Sequence, residues 1–294
     1  MEKRRAVSEG RKKGLGALVP RPGMTKPFIA ASIYLNAAPL CYSFRFGKQK
    51  DRCKFLPDAA PAACSALLAE GRADAALIPV IEYQRIADLK VAPGACVASK
   101  TSVLSVLLAS RLPIDQVRSV ALDTSSRTSA ALIQIILSRF YKLSPSYTTS
   151  PPLIDEMLRT NDAALIIGDP AMLIDRSALH VYDLAEEWKK HTGLPFVFAF
   201  WAIRSGSEAL RTEKRTSDAV DFQAAKREGL EHVDELADIY AENLGLERDD
   251  LFKYLTQNIS YDLDGESLRG LELYYDLASQ SGLIEKPRPV VFCE

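Results

Sequence analysis

Up to about residue 205 the hydrophobic residues of this chain fall in short, nearly unbroken runs; beyond it they recur at helical spacing. Phe28-Ile-Ala-Ala-Ser-Ile33, Ala73-Asp-Ala-Ala-Leu-Ile78, Val117–Asp123, Ala163-Ala-Leu-Ile-Ile167 and Phe196-Val-Phe-Ala-Phe-Trp-Ala-Ile203 have the length and continuity of buried strands. Val91–Ser99 and Ser102–Ser110 predict two more, the second carrying Ser105 among apolar neighbours. Between these runs, 61–71, 130–137, 154–158 and 182–189 predict helices, the first closed by Gly71 in the left-handed position that suits glycine. After Ser207, helices are predicted around 217–228, 230–243, 248–257 and 265–281, where spacing such as Leu236, Ile239, Tyr240, Leu244 gives a core face. Strand–helix alternation in two blocks, with the chain passing between them twice, predicts an α/β bilobal fold with a cleft between lobes and a helical C-terminal segment. The expected lobes are 27–110 plus 205–294, and 111–204. Residues 1–26 are basic and rich in Gly and Pro, without the apolar run of roughly 7–15 residues that a secretory signal needs. They predict a disordered extension.

Open α/β sheets hold ligands beyond the C-terminal ends of their strands, so three strand ends matter most. The first runs into Tyr34-Leu-Asn-Ala-Ala-Pro-Leu40, where Asn36 is a candidate contact or the cap of the next helix. The second, Val120-Ala-Leu-Asp-Thr-Ser-Ser-Arg-Thr-Ser129, hands over directly to a predicted helix. The first N–H groups of a helix have no internal partner and sit at the positive end of its dipole. One hydroxyl there is ordinary capping. Thr124, Ser125, Ser126, Thr128 and Ser129 with Arg127 make a candidate cradle for a phosphate or carboxylate. The third end is Gly168-Asp-Pro-Ala-Met172, with Asp169 expected as a cap and Pro170 in the first turn.

Composition narrows the chemistry further. A net charge of −1 and a pI near 6.4 provide no basic field for nucleic acid or an anionic membrane. No apolar stretch approaches the roughly 18 residues of a membrane span. The five cysteines, Cys41, Cys53, Cys64, Cys96 and Cys293, form no CxxC pair, and the three histidines, His180, His191 and His232, share no ligand spacing. A metal site, a redox pair and a His-based triad are therefore not expected, and the thiols fit a reducing, cytoplasmic setting. There is no Walker loop and no GxGxxG.

Taken together, Ser32–Leu40, Ala76–Tyr83, Val120–Ser129, Ile167-Gly-Asp-Pro-Ala171 and Gly193–Ala199 resemble chorismate dehydratase, the enzyme that opens the futalosine route of menaquinone biosynthesis. The resemblance spans about residues 28–285. It implies a type II periplasmic-binding-protein fold and cofactor-free loss of water from chorismate, giving 3-[(1-carboxyvinyl)oxy]benzoate. By motif it implies Asn36 and Ser105 as catalytic residues, and Tyr34, Thr124, Ser125, Ser126, Arg127, Thr128, Gly168 and Asp169 as substrate contacts. Ala37 and Ala38 stand where a larger polar residue would be expected in relatives. No base is implied by motif; Glu82, Asp169 and the substrate's own enolpyruvyl carboxylate are the candidates. The alternatives of the same fold are a non-catalytic solute-binding protein and the pathway's dihydroxynaphthoate synthase, whose SPCPNDTF-type motif has no counterpart here. A monomer and a homodimer are both compatible with the sequence.

Overall fold

The computed structural model describes residues 26–58, 60–207 and 219–293; the predicted N-terminal extension lies outside them as far as residue 25. Two five-stranded sheets carry the fold, one in each lobe. The first is ordered β2-β1-β3-β10-β4, with β1 at Phe28–Ser32, β2 at Lys54–Asp58, β3 at Ala75–Pro79, β4 at Leu89–Ser99 and β10 at Phe196–Arg204. The second is ordered β7-β6-β8-β5-β9, with β5 at Val106–Ser110, β6 at Ser119–Asp123, β7 at Ser146–Ser150, β8 at Ala163–Ile167 and β9 at His180–Asp183. In each sheet four strands run in the same direction and one inserted strand is antiparallel to both its neighbours. In the first that strand is β10, between β3 and β4. In the second it is β5, between β8 and β9. The inserted strand of each sheet is the one that has just arrived from the other lobe.

The strand-forming runs are apolar on both faces because helices cover both sides. β1, β3, β5 and β8 are buried along their whole lengths, as sheets enclosed by helices require. In the first lobe α1 (Ala38–Arg45), α2 (Pro61–Ala69) and α3 (Val80–Arg85) follow β1, β2 and β3. In the second, α4 (Thr128–Ile135) follows β6 and runs on as a π-helical turn, Ile136–Phe140. There α5 (Ile154–Thr160), the short α6 (Asp169–Met172) and α7 (Leu184–Thr192) complete the layer. The C-terminal helices are α8 (Phe222–Glu231), α9 (Val233–Leu244), α10 (Arg248–Lys253), a π-helical turn at Tyr254–Asn258, and α11 (Gly265–Gln280).

Two expectations shift. The strand pairing moves the crossings: β5 belongs to the second sheet and β10 to the first, where the sequence divided the lobes after residues 110 and 204. Ser105 does not lie within a strand. Leu104, just before it, has φ +57, and the N–H groups of Val103 and Leu104 are drawn out of any ladder by the Asp183 carboxylate, at 2.9 and 2.6 Å.

The last helix, α11, spans both lobes beside the cleft. Tyr274 donates from its hydroxyl to the Thr128 carbonyl in the second lobe (3.0 Å), and Tyr275 to the Val80 carbonyl in the first (2.7 Å). Its N-terminus is capped by Asp264, whose carboxylate accepts from Ser267 N (2.8 Å) and from Lys100 Nζ (2.6 Å). The Lys100 bond, with the Ser267 N–H, lowers the Asp264 carboxyl to a pKa of about 2. A carboxyl depressed on folding stabilises the protein above its unfolded value, roughly 3.9, and that contribution is lost as pH falls toward 2. Asp264→Asn keeps a competent cap but cannot titrate. Wild type should therefore lose more stability than the variant between pH 4 and pH 2, measured by urea denaturation at each pH; parallel losses would remove Asp264 as a source of acid sensitivity.

Candidate active site

The C-terminal ends of β1, β3, β6 and β8 converge on one cavity between the lobes, the placement expected of open α/β sheets. Asn36, Ser126 and Thr128 bring polar atoms to its wall, and Leu77, Val97 and Phe198 form an apolar side. Each polar group is placed by its local chain. Asn36 sits in a single 3-10 turn, Leu35–Ala37, made where Pro39 opens α1 and the chain must leave β1 sharply.

The hydroxyl loop is shaped by Asp123 at the end of β6. Its buried carboxylate accepts from Ser125 N (2.8 Å) and the Ser125 hydroxyl (2.6 Å), an Asx turn, and from Ile167 N at the end of β8 (3.3 Å). Burial pushes the Asp123 carboxyl up, and these three donors oppose that. Ser126 N closes the turn on the Asp123 carbonyl at 3.0 Å. With Ser125 engaged, Ser126 is left lining the cavity; its Oγ is buried and has no hydrogen-bond partner among the described residues. Arg127 stands at the N-cap of α4, and its side chain makes no capping bond to the N–H groups that open this helix. A buried hydroxyl without a partner is rare in a folded protein. Beside a helix N-terminus it marks a place for a ligand oxygen.

The lobes touch across the cavity. Leu35 N donates to Asp169 Oδ1 (2.8 Å) and Ile81 N to Thr128 Oγ1 (3.3 Å). Asp169 therefore does not cap its own helix as expected. Gly168 holds the N-cap of α6 with φ 68 and ψ −152, a conformation open essentially to glycine alone, and this turns the Asp169 side chain toward the other lobe. Gly168 N donates to the Ser105 carbonyl at 2.7 Å, and the Tyr34 ring lies where a Cβ on Gly168 would stand.

Of the residues singled out from sequence, Tyr34, Asn36, Ser125, Ser126, Arg127, Thr128 and Gly168 line this one cavity. Thr124 and Asp169 instead line a neighbouring groove that Tyr34 and Ser125 also border. Ser105 is fully buried one layer behind the wall, where its Oγ accepts from the Tyr254 hydroxyl at 2.7 Å. Glu82 pairs with Arg85 at 2.8 Å and does not line the cavity. Among the described residues the lining contains no carboxylate and no imidazole. Among the described residues no group of three His, Cys, Asp or Glu could hold a metal ion. Tyr254, Tyr274 and Tyr275 are not marked out by pattern, since core-facing tyrosines on a charged helix look like ordinary packing; the only signal is that a buried phenol needs a hydrogen-bond partner.

Gly168→Ala tests how tightly the lobes are fitted here. It imposes a disfavoured backbone and drives a methyl into the Tyr34 ring, so it should destabilise the protein by roughly 1–3 kcal/mol. Thermal or denaturant unfolding measures this. An unchanged midpoint would mean that Tyr34 does not press on this turn.

Residues 27–280 match the menaquinone biosynthesis family. The chain is 29% identical over 259 residues to a chorismate dehydratase from Thermus thermophilus, covering 82% of this chain and 91% of that protein. Among solved structures, a protein from Archaeoglobus fulgidus is similar with a TM-score of 0.69 at 17% identity, over 89% of this chain and 100% of its own. The periplasmic aliphatic sulphonate binding protein of Escherichia coli is similar with a TM-score of 0.60 at 16% identity, over 92% of this chain and 94% of its own. The bilobal fold is thus that of the periplasmic binding proteins, and the chain belongs to the menaquinone biosynthesis family.

Proposed function

We propose that this protein is a cytoplasmic chorismate dehydratase, removing water from chorismate to give 3-[(1-carboxyvinyl)oxy]benzoate at the start of the futalosine route. The observation that carries the reading is the Ser126 hydroxyl, buried with no partner among the described residues at the start of α4, in a cavity that Asn36 and apolar side chains also line. Chorismate has two carboxylates on a flat, largely apolar ring. Neutral hydroxyl and N–H donors can hold a carboxylate without the cost of burying a cation. Leu77, Val97 and Phe198 suit the ring. The likeness to the Thermus thermophilus enzyme supports the same substrate.

The reaction breaks the C3–H and C4–O bonds and leaves an aromatic ring, so aromatisation supplies much of the driving force. The enzyme's task is then to orient the substrate and stabilise transient charge. As C3 loses its proton, charge spreads into the conjugated ring carboxylate. Ser126, Thr128 and the first N–H groups of α4 are the donors we assign to that carboxylate, with Arg127 at the rim. Asn36 assists departure of the C4 hydroxide, backed by Ser105. With no carboxylate or imidazole among the described residues of the lining, the base we assign is the substrate's own enolpyruvyl carboxylate, folded over C3. Entry requires the lobes to part, breaking the Leu35–Asp169 and Ile81–Thr128 bonds.

Purified protein mixed with chorismate should abolish the diene absorbance and yield a product lighter by one water. Binding without turnover would instead favour a solute-binding protein. Asn36→Ala should lower kcat on the order of 10²-fold, the scale of removing one aimed donor. Ser126→Ala should chiefly raise KM, by roughly 10-fold, as expected for one bond to a charged group. Full kcat in Asn36→Ala would remove that residue from the mechanism.

A further inference from the structure

The crossover into the second lobe is held in an unusual shape directly behind the cavity wall. Leu104 has φ +57, and Ser105 N donates to the Val103 carbonyl at 2.7 Å, closing a three-residue turn of the strained kind. One buried carboxylate keeps it in place: Asp183 accepts from Val103 N and Leu104 N, and also from Ala185 N (2.9 Å) and Glu186 N (3.2 Å) at the start of α7. Non-glycine residues persist in such backbone only when the surroundings over-determine it, and such sites cluster where geometry serves function. Here the turn presents the Ser105 hydroxyl to the Tyr254 phenol, which donates to it at 2.7 Å.

Tyr254 is fixed just as firmly. It opens the π-helical turn that ends with Ile259 N donating to its carbonyl at 3.2 Å, and single π turns inside helices recur at functional sites. The segment that follows is fastened to the same crossover. Asn258 Nδ2 donates to the Ser102 carbonyl (3.2 Å) and hydroxyl (3.0 Å), and Ser260 exchanges both backbone bonds with Ala98. The Asn36 side chain lies within interaction reach of the same phenol. Burial raises the Tyr254 pKa well above that of a free tyrosine, so the phenol stays a donor across the physiological range. A phenol that gives its proton to Ser105 keeps oxygen lone pairs free to accept one Asn36 Nδ2–H. Asn36 itself lines the cavity, so an amide held by the phenol through one N–H has its second to offer there.

We propose that Tyr254 is a positioning residue for the dehydration, linking Ser105 to Asn36 and setting the amide that meets the departing C4 hydroxyl. The assignment rests on the role given to Asn36 above and adds a residue from the C-terminal helices to the machinery.

Tyr254→Phe keeps the ring and removes only the hydroxyl. Chorismate turnover, measured well below the unfolding midpoint, should show kcat down roughly 10-fold, the scale of one neutral hydrogen bond, with KM unchanged. In an Asn36→Ala background the same substitution should cost nothing further, because the two residues act as one unit. A kcat unaffected by Tyr254→Phe, an effect on KM alone, or an equal drop in both backgrounds would overturn the tyrosine assignment while leaving the dehydratase reading intact. Wild-type protein inert toward chorismate would overturn that reading and this one with it. Should Tyr254→Phe fail to fold, Ser105→Ala removes the phenol's acceptor and is judged by the same pattern in the same two backgrounds.

Discussion

Each sheet of this protein is completed by a strand that arrives from the opposite lobe, and the whole arrangement depends on that exchange. With β10 hydrogen-bonded between β3 and β4, and β5 between β8 and β9, neither sheet is whole until the chain has visited both lobes. The inserted strands run against their parallel neighbours. Their near ends therefore lie at the C-terminal edges of β1, β3, β6 and β8, where the chain passes between lobes. The loops that carry polar chemistry are thus forced into one gap, and part of the apolar side of that gap, Phe198 and Val106, comes from the crossing strands themselves.

The electrostatics of that gap follow a consistent rule. Carboxylates near it are committed to backbone: Asp123 to Ser125 and Ile167, Asp169 to Leu35, Asp183 to the crossover and α7. Each is buried, so each would be costly without its donors. What remains facing the cavity is uncharged apart from Arg127 at the exposed edge. A dianionic ligand therefore meets no competing negative charge, and its own charges dominate the local field. Low dielectric around the apolar wall strengthens every neutral donor that reaches it.

Much of this was legible in the sequence. The apolar runs at 28–33, 117–123, 163–167 and 196–203 became strands because continuous burial leaves no other short element for them. Five hydroxyls ahead of Ala130 identified the loop at α4. What composition could not reveal was the allocation of those hydroxyls: Asp123 claims Ser125, Thr128 accepts from the other lobe, Thr124 faces outward, and the buried Ser126 hydroxyl has no partner among the described residues. Ser105 appeared to continue a strand because Val103 to Leu108 is apolar apart from it, yet a carboxylate some 80 positions away in sequence, Asp183, takes the preceding N–H groups. The Gly-Asp-Pro segment has the sequence of a local cap, yet its aspartate bridges the lobes. The Ser105 turn and the Asp169 bridge both rest on long-range hydrogen bonds, which short-range periodicity does not encode.

The π turn at Tyr254–Asn258 has one more implication. It accommodates one residue more than an α-helical turn would hold, and an α-helix advances about 100° per residue. Deleting a single residue there would let the helix relax to regular winding and rotate everything on one side by that angle, swinging a phenol away from the crossover however well the remaining side chains were preserved. In this segment chain length is a tighter constraint than amino-acid identity.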